Sequence, residues 1–259
     1  MMRPLEGLTG KASWVFLLLV LVMPRAHADP QEVEEGEPIT IEDATTNDVG
    51  ELSLQYSGTY TRIADAGTQA LLEQGPTFKL GVFKDVQVSL NPYYGTGSAP
   101  GHNSGVVLSD VKVQLNQQTI YIPTLAVDVF YGVPFGAGDK SANYIFRAVA
   151  SKLLGSSEDS PTLHLNLTDT HLSTPDFGGR KDQLQAVFGG SFLIARNAAL
   201  VGDVVYGAAE EAGRDATFVE VGYSRDLPHD WKLEVGVGRQ VDGDTWEVFL
   251  SIEKEVQIF

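Results

Sequence analysis

Apolar and polar residues alternate with a period of two over most of this chain. In the segment 231–240, Trp231 and Leu233 fall on one side, and Lys232 and Glu234 fall on the other. Successive side chains of a β-strand point to opposite faces, so such a segment predicts a strand with one apolar and one polar face. A whole chain built this way predicts a sheet that meets two different solvents.

Twelve segments of this kind follow one another, separated by turn residues. The twelve predicted strands are roughly 51–62, 77–83, 86–94, 108–116, 120–131, 142–152, 162–170, 182–194, 198–209, 216–225, 231–240 and 245–256. The segment 142–152 also satisfies a helical period, and a helix there would reduce the count to eleven strands. Pro123 and Pro134 lie in or beside the fifth strand, where a bulge or a strand end would accommodate their missing N–H groups.

The connections alternate between tight turns and longer loops rich in Gly, Pro and Ser. The tight set is 84–85, 116–119, 196–197 and 226–230, and the longer set is 64–76, 95–107, 132–141 and 171–181. Two connections depart from this order, because 153–161 is long and 241–244 is short. Short turns on one rim and longer loops on the other are typical of outer-membrane barrels. We therefore predict an all-β fold, a closed antiparallel up-and-down transmembrane β-barrel of about 12 strands with both termini in the periplasm.

The first 28 residues have the features of a secretory signal peptide. Arg3 and Lys11 precede an apolar run at 14–23, and the small-residue site Ala26-His27-Ala28 follows it. That run is well short of the ~20 residues that a membrane-spanning helix needs. We expect cleavage after Ala28 and export across the inner membrane of a Gram-negative cell.

Cleavage there would leave 231 residues with 15 Lys and Arg against 33 Asp and Glu, a net charge of −18. So acidic a chain is a poor partner for nucleic acid. The absence of Cys excludes disulfides and thiolate metal sites. A mean hydropathy of −0.05 is compatible with a membrane barrel, since every second wall residue is polar.

Residues 29–49 form an acidic N-terminal leader that precedes the predicted barrel at 50–259. The leader has no periodic apolar face. Such a composition predicts an exposed or loosely packed segment, and it leaves open whether the leader folds into the lumen.

One face of the predicted strands is apolar and almost free of charge, which suits contact with lipid. A Lys or Arg at mid-membrane on this face would cost ~2–4 kcal/mol. Aromatic residues lie near the strand ends, as an interfacial girdle requires, although the core of a soluble sandwich is an alternative. The predicted outer wall comprises Leu52, Leu54, Tyr56, Tyr60, Phe78, Leu80, Val88, Leu90, Val113, Leu115, Tyr121, Leu125, Val127, Val129, Leu184, Phe188, Phe192, Tyr206, Val221, Tyr223, Trp246, Val248 and Leu250.

The opposite face carries charges of both signs. A dry core could not hold so many ions, whereas a hydrated lumen could. The same charges could instead pair across strands and plug the lumen, so a polar interior does not establish a pore. The predicted lumen residues, candidates for setting selectivity, are Lys79, Lys112, Asp128, Arg147, His164, Asn166, Asp203, Glu220, Lys232, Glu234 and Glu247.

No catalytic residue, metal site or cofactor is predicted, and we expect the chain not to be an enzyme. His164 on the polar face could pair with a serine to hydrolyse an ester, but a histidine that only makes hydrogen bonds in the lumen is favoured.

Five short stretches resemble a known family. They are 38–45 (PITIEDAT), the strand start at 50–52 (GEL), 163–167 (LHLNL), the hairpin around Arg196-Asn197, and 235–240 (VGVGRQ). Together they are similar to the outer-membrane barrels of the MetA-pathway of phenol degradation family, over about residues 38–259. The resemblance implies a small barrel of transporter type with no established catalytic residues. The family name is not evidence of phenol chemistry.

The chain ends on Phe259, as outer-membrane barrels of this kind commonly do, and Phe259 is therefore a candidate assembly signal. The apolar residues Val248, Leu250 and Val256 have the opposite phase to Phe259. Either a bulge shifts the register or Phe259 is not that signal.

We thus expect an outer-membrane channel for the passive passage of a small solute, with selectivity set by the charged inner face. The acidic excess favours cations or neutral solutes. The alternatives are a plugged barrel with a structural or surface-binding role, a soluble periplasmic β-barrel that binds a ligand, and a barrel enzyme that acts on lipid. The expected partners are outer-membrane lipid, the barrel assembly machinery and an unknown small solute, and not nucleic acid.

Overall fold

A computed structural model describes residues 39–63, 69–99, 102–136, 142–156, 160–173, 181–208 and 215–259. They form twelve strands: β1 (Glu51–Ile63), β2 (Gln69–Phe83), β3 (Val86–Gly97), β4 (Ser104–Asn116), β5 (Thr124–Gly136), β6 (Asn143–Leu153), β7 (Thr162–Leu172), β8 (Asp182–Ala195), β9 (Ala198–Ala208), β10 (Asp215–Leu227), β11 (Trp231–Gln240) and β12 (Trp246–Gln257). The expected signal peptide, the cleavage site after Ala28 and the first part of the acidic leader lie outside the described residues.

Each strand pairs antiparallel with its neighbours in sequence, and β1 pairs with β12 to close a barrel. The β1–β12 register runs without interruption from Glu51 opposite Gln257 to Arg62 opposite Trp246. Closure leaves no strand edge without a partner, the condition for a sheet to cross lipid. The predicted closed antiparallel barrel of 12 strands is confirmed.

Several strands are longer than the alternation predicts. β2 begins at Gln69 instead of residue 77, so most of the predicted loop 64–76 is strand. Pro76 lies within β2, opposite Tyr56 of β1. Pro134 lies within β5 opposite Val106, so it marks neither a strand end nor a register shift between β4 and β5.

The fifth strand begins four residues later than predicted. Residues 120–122 are apolar, but the Thr119 hydroxyl accepts hydrogen bonds from the backbone N–H groups of Tyr121 and Ile122 and closes a turn. The Lys152 ammonium donates to the carbonyls of Thr119 and Ile120 and holds this turn against the outside of β6. Tyr121, predicted to lie in the outer wall, therefore lies in an exposed turn.

The segment that also fitted a helical period is strand β6, paired with β5 and β7 along its length. No helix among the described residues is long and apolar enough to cross a membrane.

The two faces of the barrel differ as the alternation predicts. Outside, Phe188 and Val129 are 57% and 55% exposed. Inside, Asp128 and Glu234 are each 1% exposed. A soluble barrel would present a continuous apolar belt to water, which disfavours the periplasmic ligand-binding alternative.

The C-terminal residue lies beyond the barrel wall. β12 ends at Gln257, its pairing with β1 contains no bulge, and Phe259 is exposed. The backbone of Ile258 donates to the carbonyl of Gly50, so the chain end is tied to the start of β1. The register shift that would bring Phe259 into phase is absent from β12. The role of Phe259 in assembly stays a prediction.

Residues 39–49, which we call the inner segment, pass through the barrel interior. Ile39, Ile41, Asp43, Ala44 and Asn47 are all buried. The prediction of an exposed or loosely packed leader is therefore wrong for this part of it.

Candidate functional site

The inner segment leaves the barrel at the rim where β1 begins. Val49 bridges to Gly81 of β2, and the Gly50 N–H donates to the Gly81 carbonyl at 2.8 Å. A β-carbon on Gly81 would lie 2.0 Å from the Asp48 carbonyl oxygen, so only glycine lets the two backbones approach this closely.

The first residues of the inner segment cover an apolar patch on the inner wall. Ile39 and Ile41 form a buried cluster with Val187, Val201 and Val205 from β8 and β9. A water-filled lumen gives no reason for this patch, since apolar surface gains stability only when it is removed from water. The patch indicates that this part of the wall is built to be covered.

Further along, small side chains allow the inner segment to lie close to β5 and β6. Ala44 is completely buried in a cluster with Ala126 and Val149. The Ala44 N–H donates to the Ser151 hydroxyl of β6 at 2.9 Å.

Hydrogen bonds connect the inner segment to strands around the whole barrel. Thr40 donates to the Glu220 carboxylate of β10 through its backbone N–H at 2.8 Å and its hydroxyl at 3.1 Å. The Asn47 backbone N–H donates to the Gln87 side chain of β3 at 2.9 Å, and the Asn47 amide donates to the Ser53 hydroxyl of β1 at 2.8 Å. The segment therefore crosses the lumen instead of following one wall.

Arg147 provides the central ionic contact. Its guanidinium lies 3.1 Å from a Glu42 carboxylate oxygen and 2.7 Å from an Asp128 carboxylate oxygen, and it covers the Phe130 ring at 4.7 Å. An arginine held between two carboxylates and an aromatic face uses the planar fork that lysine lacks.

The Glu42 carboxyl group is strongly acidic in this position. Burial raises its pKa, but the positive charges of Arg147, Lys112 and Lys79 outweigh burial and lower the pKa to about 2. Glu42 is therefore ionised at neutral pH and attracted to the β2–β6 side of the barrel.

A second group of carboxylates lies on the other side. Asp203 of β9 is directly opposite Glu220 of β10, and Gly238 separates Glu220 from Glu247 of β12 in the same row. The Asp203 carboxyl lies beside that of Glu220 and within reach of the backbone N–H of Ile41 in the inner segment. This side of the interior therefore carries three neighbouring acidic groups.

Towards the rim where β12 ends, Lys232 lies beside further acidic groups. It is opposite Glu253 in the β11–β12 register, and Glu234 accepts hydrogen bonds from Ser251 and Gln55. Lys232, Glu234 and Glu253 are all buried.

His164, Ser151 and Asp43 meet inside the barrel, but their geometry does not support catalysis. The Ser151 hydroxyl lies 2.9 Å from His164 Nδ1, and an Asp43 carboxylate oxygen lies 4.0 Å from the same nitrogen. A Ser-His-Asp triad places the serine and the carboxylate on opposite ring nitrogens. The hydrolase hypothesis for His164 therefore has no geometric support, although the absence of enzymatic activity stays a prediction.

The structure places the predicted lumen residues on the inner face and groups them by strand. Lys79, Lys112, Asp128 and Arg147 belong to the β2–β6 side, and Asp203, Glu220 and Glu247 to the β9–β12 side. His164 and Asn166 are buried on β7. This placement does not test the predicted role of these residues in selectivity, which stays a prediction.

The alternation within the strands does not predict the inner segment as part of the site. One signal was present, because β9 carries Val204 and Val205 side by side and therefore has apolar residues on both faces. An apolar inner face on a barrel strand indicates an internal partner, and Ile39 and Ile41 are spaced two apart as an extended partner would be.

No protein-family model and no curated protein matches this sequence. Solved structures of outer-membrane channels do match the fold. The COG4313 outer membrane channel from Pseudomonas putida F1 is 12% identical, with a TM-score of 0.58 over 87% of this chain and 100% of that chain. The NanC porin is 9% identical, with a TM-score of 0.56 over 77% of this chain and 98% of that chain. A KdgM porin in complex with disordered oligogalacturonate is 10% identical, with a TM-score of 0.55 over 78% and 98% of the two chains.

The chain therefore has the closed-barrel fold of outer-membrane channels and porins. Its family is not determined by these similarities, which are similarities of fold.

Proposed function

We propose that this protein is an outer-membrane channel for the passive passage of small solutes, closed by its inner segment and opened when that segment moves. The observation that carries the proposal is the position of residues 39–49 across a lumen lined with charged side chains. The fold shared with channels and porins supports it, as does the resemblance to the MetA-pathway of phenol degradation family.

The contacts of the inner segment are of a kind that can be exchanged for water. Thr40 and Glu42 bind charged wall residues that a hydrated lumen would solvate once the segment left. Several buried carboxylate oxygens, including Oε1 of Glu234 and Oδ1 of Asp128, have no hydrogen-bond donor among the described residues and would gain hydrogen bonds from entering water. An open state therefore recovers part of the free energy lost with these contacts.

The second candidate is a permanently plugged barrel with a structural or surface-binding role. The apolar contacts of Ile39 and Ile41 favour it, because these residues lose their burial when the segment moves. Conductance separates the two candidates.

The outer-membrane location, the cleaved signal peptide and assembly by the barrel assembly machinery belong to the same proposal. Cell fractionation tests the location, followed by electrophoresis of heated and unheated outer-membrane samples. A band whose mobility changes on heating supports a closed barrel in the outer membrane, and a soluble periplasmic protein would contradict it.

A disulfide that fixes the inner segment to β6 tests whether this segment is the gate. The chain has no cysteine, and the Ala44 nitrogen lies 2.9 Å from the Ser151 hydroxyl, so A44C/S151C brings the only two thiols together. We expect the oxidised double variant to lose single-channel openings in planar bilayers, and reduction to restore them.

The matched control is A44C/V129C, in which the second thiol lies on the outer face and cannot reach the first. It should conduct equally under oxidising and reducing conditions. Equal openings of oxidised and reduced A44C/S151C would show that the inner segment is not the gate. The absence of openings in every variant would favour the plugged barrel.

A further inference from the structure

We propose that the preferred solute is a small zwitterion of about dipeptide size, and that residues 40–42 of the inner segment occupy its binding site in the closed state. The inference rests on the proposed channel function. It names the class of solute and the two wall residues, Arg147 and Glu220, that recognise its charged ends.

The carboxylate end of the site lies on the β2–β6 side. Arg147 lies between the carboxylates of Glu42 and Asp128, at 3.1 Å and 2.7 Å, and Lys79 and Lys112 add positive charge close to Glu42. When the inner segment leaves, Arg147 loses one of these two carboxylate partners, and an entering carboxylate can replace it.

The ammonium end lies on the β9–β12 side. Two donors of Thr40 occupy the Glu220 carboxylate in the closed state, and the backbone N–H of Ile41 in the same segment is directed at the neighbouring Asp203 carboxyl. Departure of the inner segment leaves these acidic groups without the donors that it supplied. An ammonium group, with three N–H donors and a positive charge, can replace those donors.

The wall is shaped to keep the acidic end open. A β-carbon on Gly189 would lie 2.5 Å from the Asp203 β-carbon, and one on Gly238 would lie 3.1 Å from the Glu220 γ-carbon. Both glycines are cross-strand neighbours of these acids, so the side chains of Asp203 and Glu220 occupy space that any larger neighbour would take.

The spacing within the inner segment sets the size of the solute. Thr40 and Glu42 are two residues apart, and their Cα atoms are separated by at most about 7 Å. The donor and the carboxylate that they present match the two ends of a short peptide better than those of a single α-amino acid. A solute with only one charge would bind either Arg147 or Glu220. The other residue would then lack a replacement for the partner that it has in the closed state.

The experiment measures uptake into proteoliposomes containing the full chain at about 0.1 M salt, where charges are partly screened but not abolished. The probes are diglycine, N-acetyl-diglycine, which lacks the ammonium, and diglycinamide, which lacks the carboxylate. Uptake of the neutral sugar arabinose reports the open channel and normalises every rate. We expect normalised diglycine uptake to exceed that of each analogue by about two- to fivefold, the range of a solvent-exposed ion pair.

Two variants test which wall residue recognises each charged end of the solute. E220Q should remove the preference for diglycine over N-acetyl-diglycine and keep the preference over diglycinamide, and R147Q should do the reverse. Q185A, on the inner face of β8, is the control and should keep both preferences.

Equal normalised uptake of the three probes, or preferences unchanged in both variants, would overturn the proposal while arabinose uptake still supported a channel. If arabinose also failed to enter, the proposed channel function would fall and this inference with it.

Discussion

Glu42 of the inner segment and Arg147 of β6 lie 3.1 Å apart in the middle of the barrel, and Arg147 also holds Asp128 at 2.7 Å. Asp128 belongs to the neighbouring wall strand and cannot leave, whereas Glu42 lies on the inner segment that crosses the lumen. Arg147 is therefore a fixed receptor, and Glu42 is the part of this contact that a gate would release.

Replacing Glu42 with Gln should increase the open population. Glu42 is one third exposed, so the contact resembles a hydrated ion pair, and its loss should favour opening by about 0.5–1 kcal/mol, or roughly two- to fivefold. Open probability in planar bilayers measures the effect. D48N removes a carboxylate from an exposed position of the same segment and should leave open probability unchanged. An E42Q channel that opened no more often than wild type would show that this ion pair does not hold the gate.

The same contact predicts a dependence on pH. Arg147, Lys112 and Lys79 overcome the effect of burial and lower the Glu42 pKa from 4.5 to about 2 in the closed state. A lowered pKa means that the contact stabilises closure fully above pH 4.5, and that this contribution is lost as the pH falls from 4.5 towards 2.

Open probability should therefore rise more steeply between pH 4.5 and 2.5 in wild type than in E42Q. The other carboxylates of the interior, including Asp110 and Asp128, are common to both proteins, so the difference isolates Glu42. Identical pH profiles of the two proteins would contradict the assignment.

Gly81 fixes the place where the inner segment leaves the lumen. A β-carbon there would lie 2.0 Å from the Asp48 carbonyl oxygen, so G81A must displace the backbone of one element. Overpacking of this kind costs about 1–3 kcal/mol. We expect G81A to lower the midpoint of urea unfolding in vesicles and to raise open probability.

G202A is the matched control for that substitution. A β-carbon on Gly202 would meet its nearest neighbour, the Glu220 carbonyl oxygen, at an ordinary 3.6 Å. G202A should leave the gate unchanged, and an equal effect of both substitutions would mean that loss of glycine, and not contact with Asp48, is responsible.

The barrel itself could be predicted from the sequence because its signal repeats in every strand. The alternation of Trp231, Lys232, Leu233 and Glu234 places each side chain on a face without reference to any other strand. The start of β5 could not be placed in this way, since the turn before it is held by Lys152, more than 30 residues further along the chain.

The inner segment could not be placed from its own composition, although the spacing of Ile39 and Ile41 is a partial signal. Its acidic residues predict exposure, whereas Glu42 is held in the interior by an ion pair with Arg147. The contact between them is a long-range one that alternation within single strands does not encode.

The outer face provides the test of the membrane assignment that is independent of any gate. Val129 lies near the middle of β5 with its side chain exposed, and Val133 lies on the same face closer to the end of the strand. In a bilayer, a lysine at the midplane costs ~2–4 kcal/mol, and the cost falls to about 0–1 kcal/mol near the interface. V129K should therefore lower the unfolding free energy, measured by urea titration in phospholipid vesicles, by about 2 kcal/mol more than V133K.

The two substitutions expose the same side chain on the same strand, so their difference reports depth in the membrane and not strand propensity. Equal and small costs for both would mean that this face meets water, and the apolar belt would then need a protein partner instead of lipid.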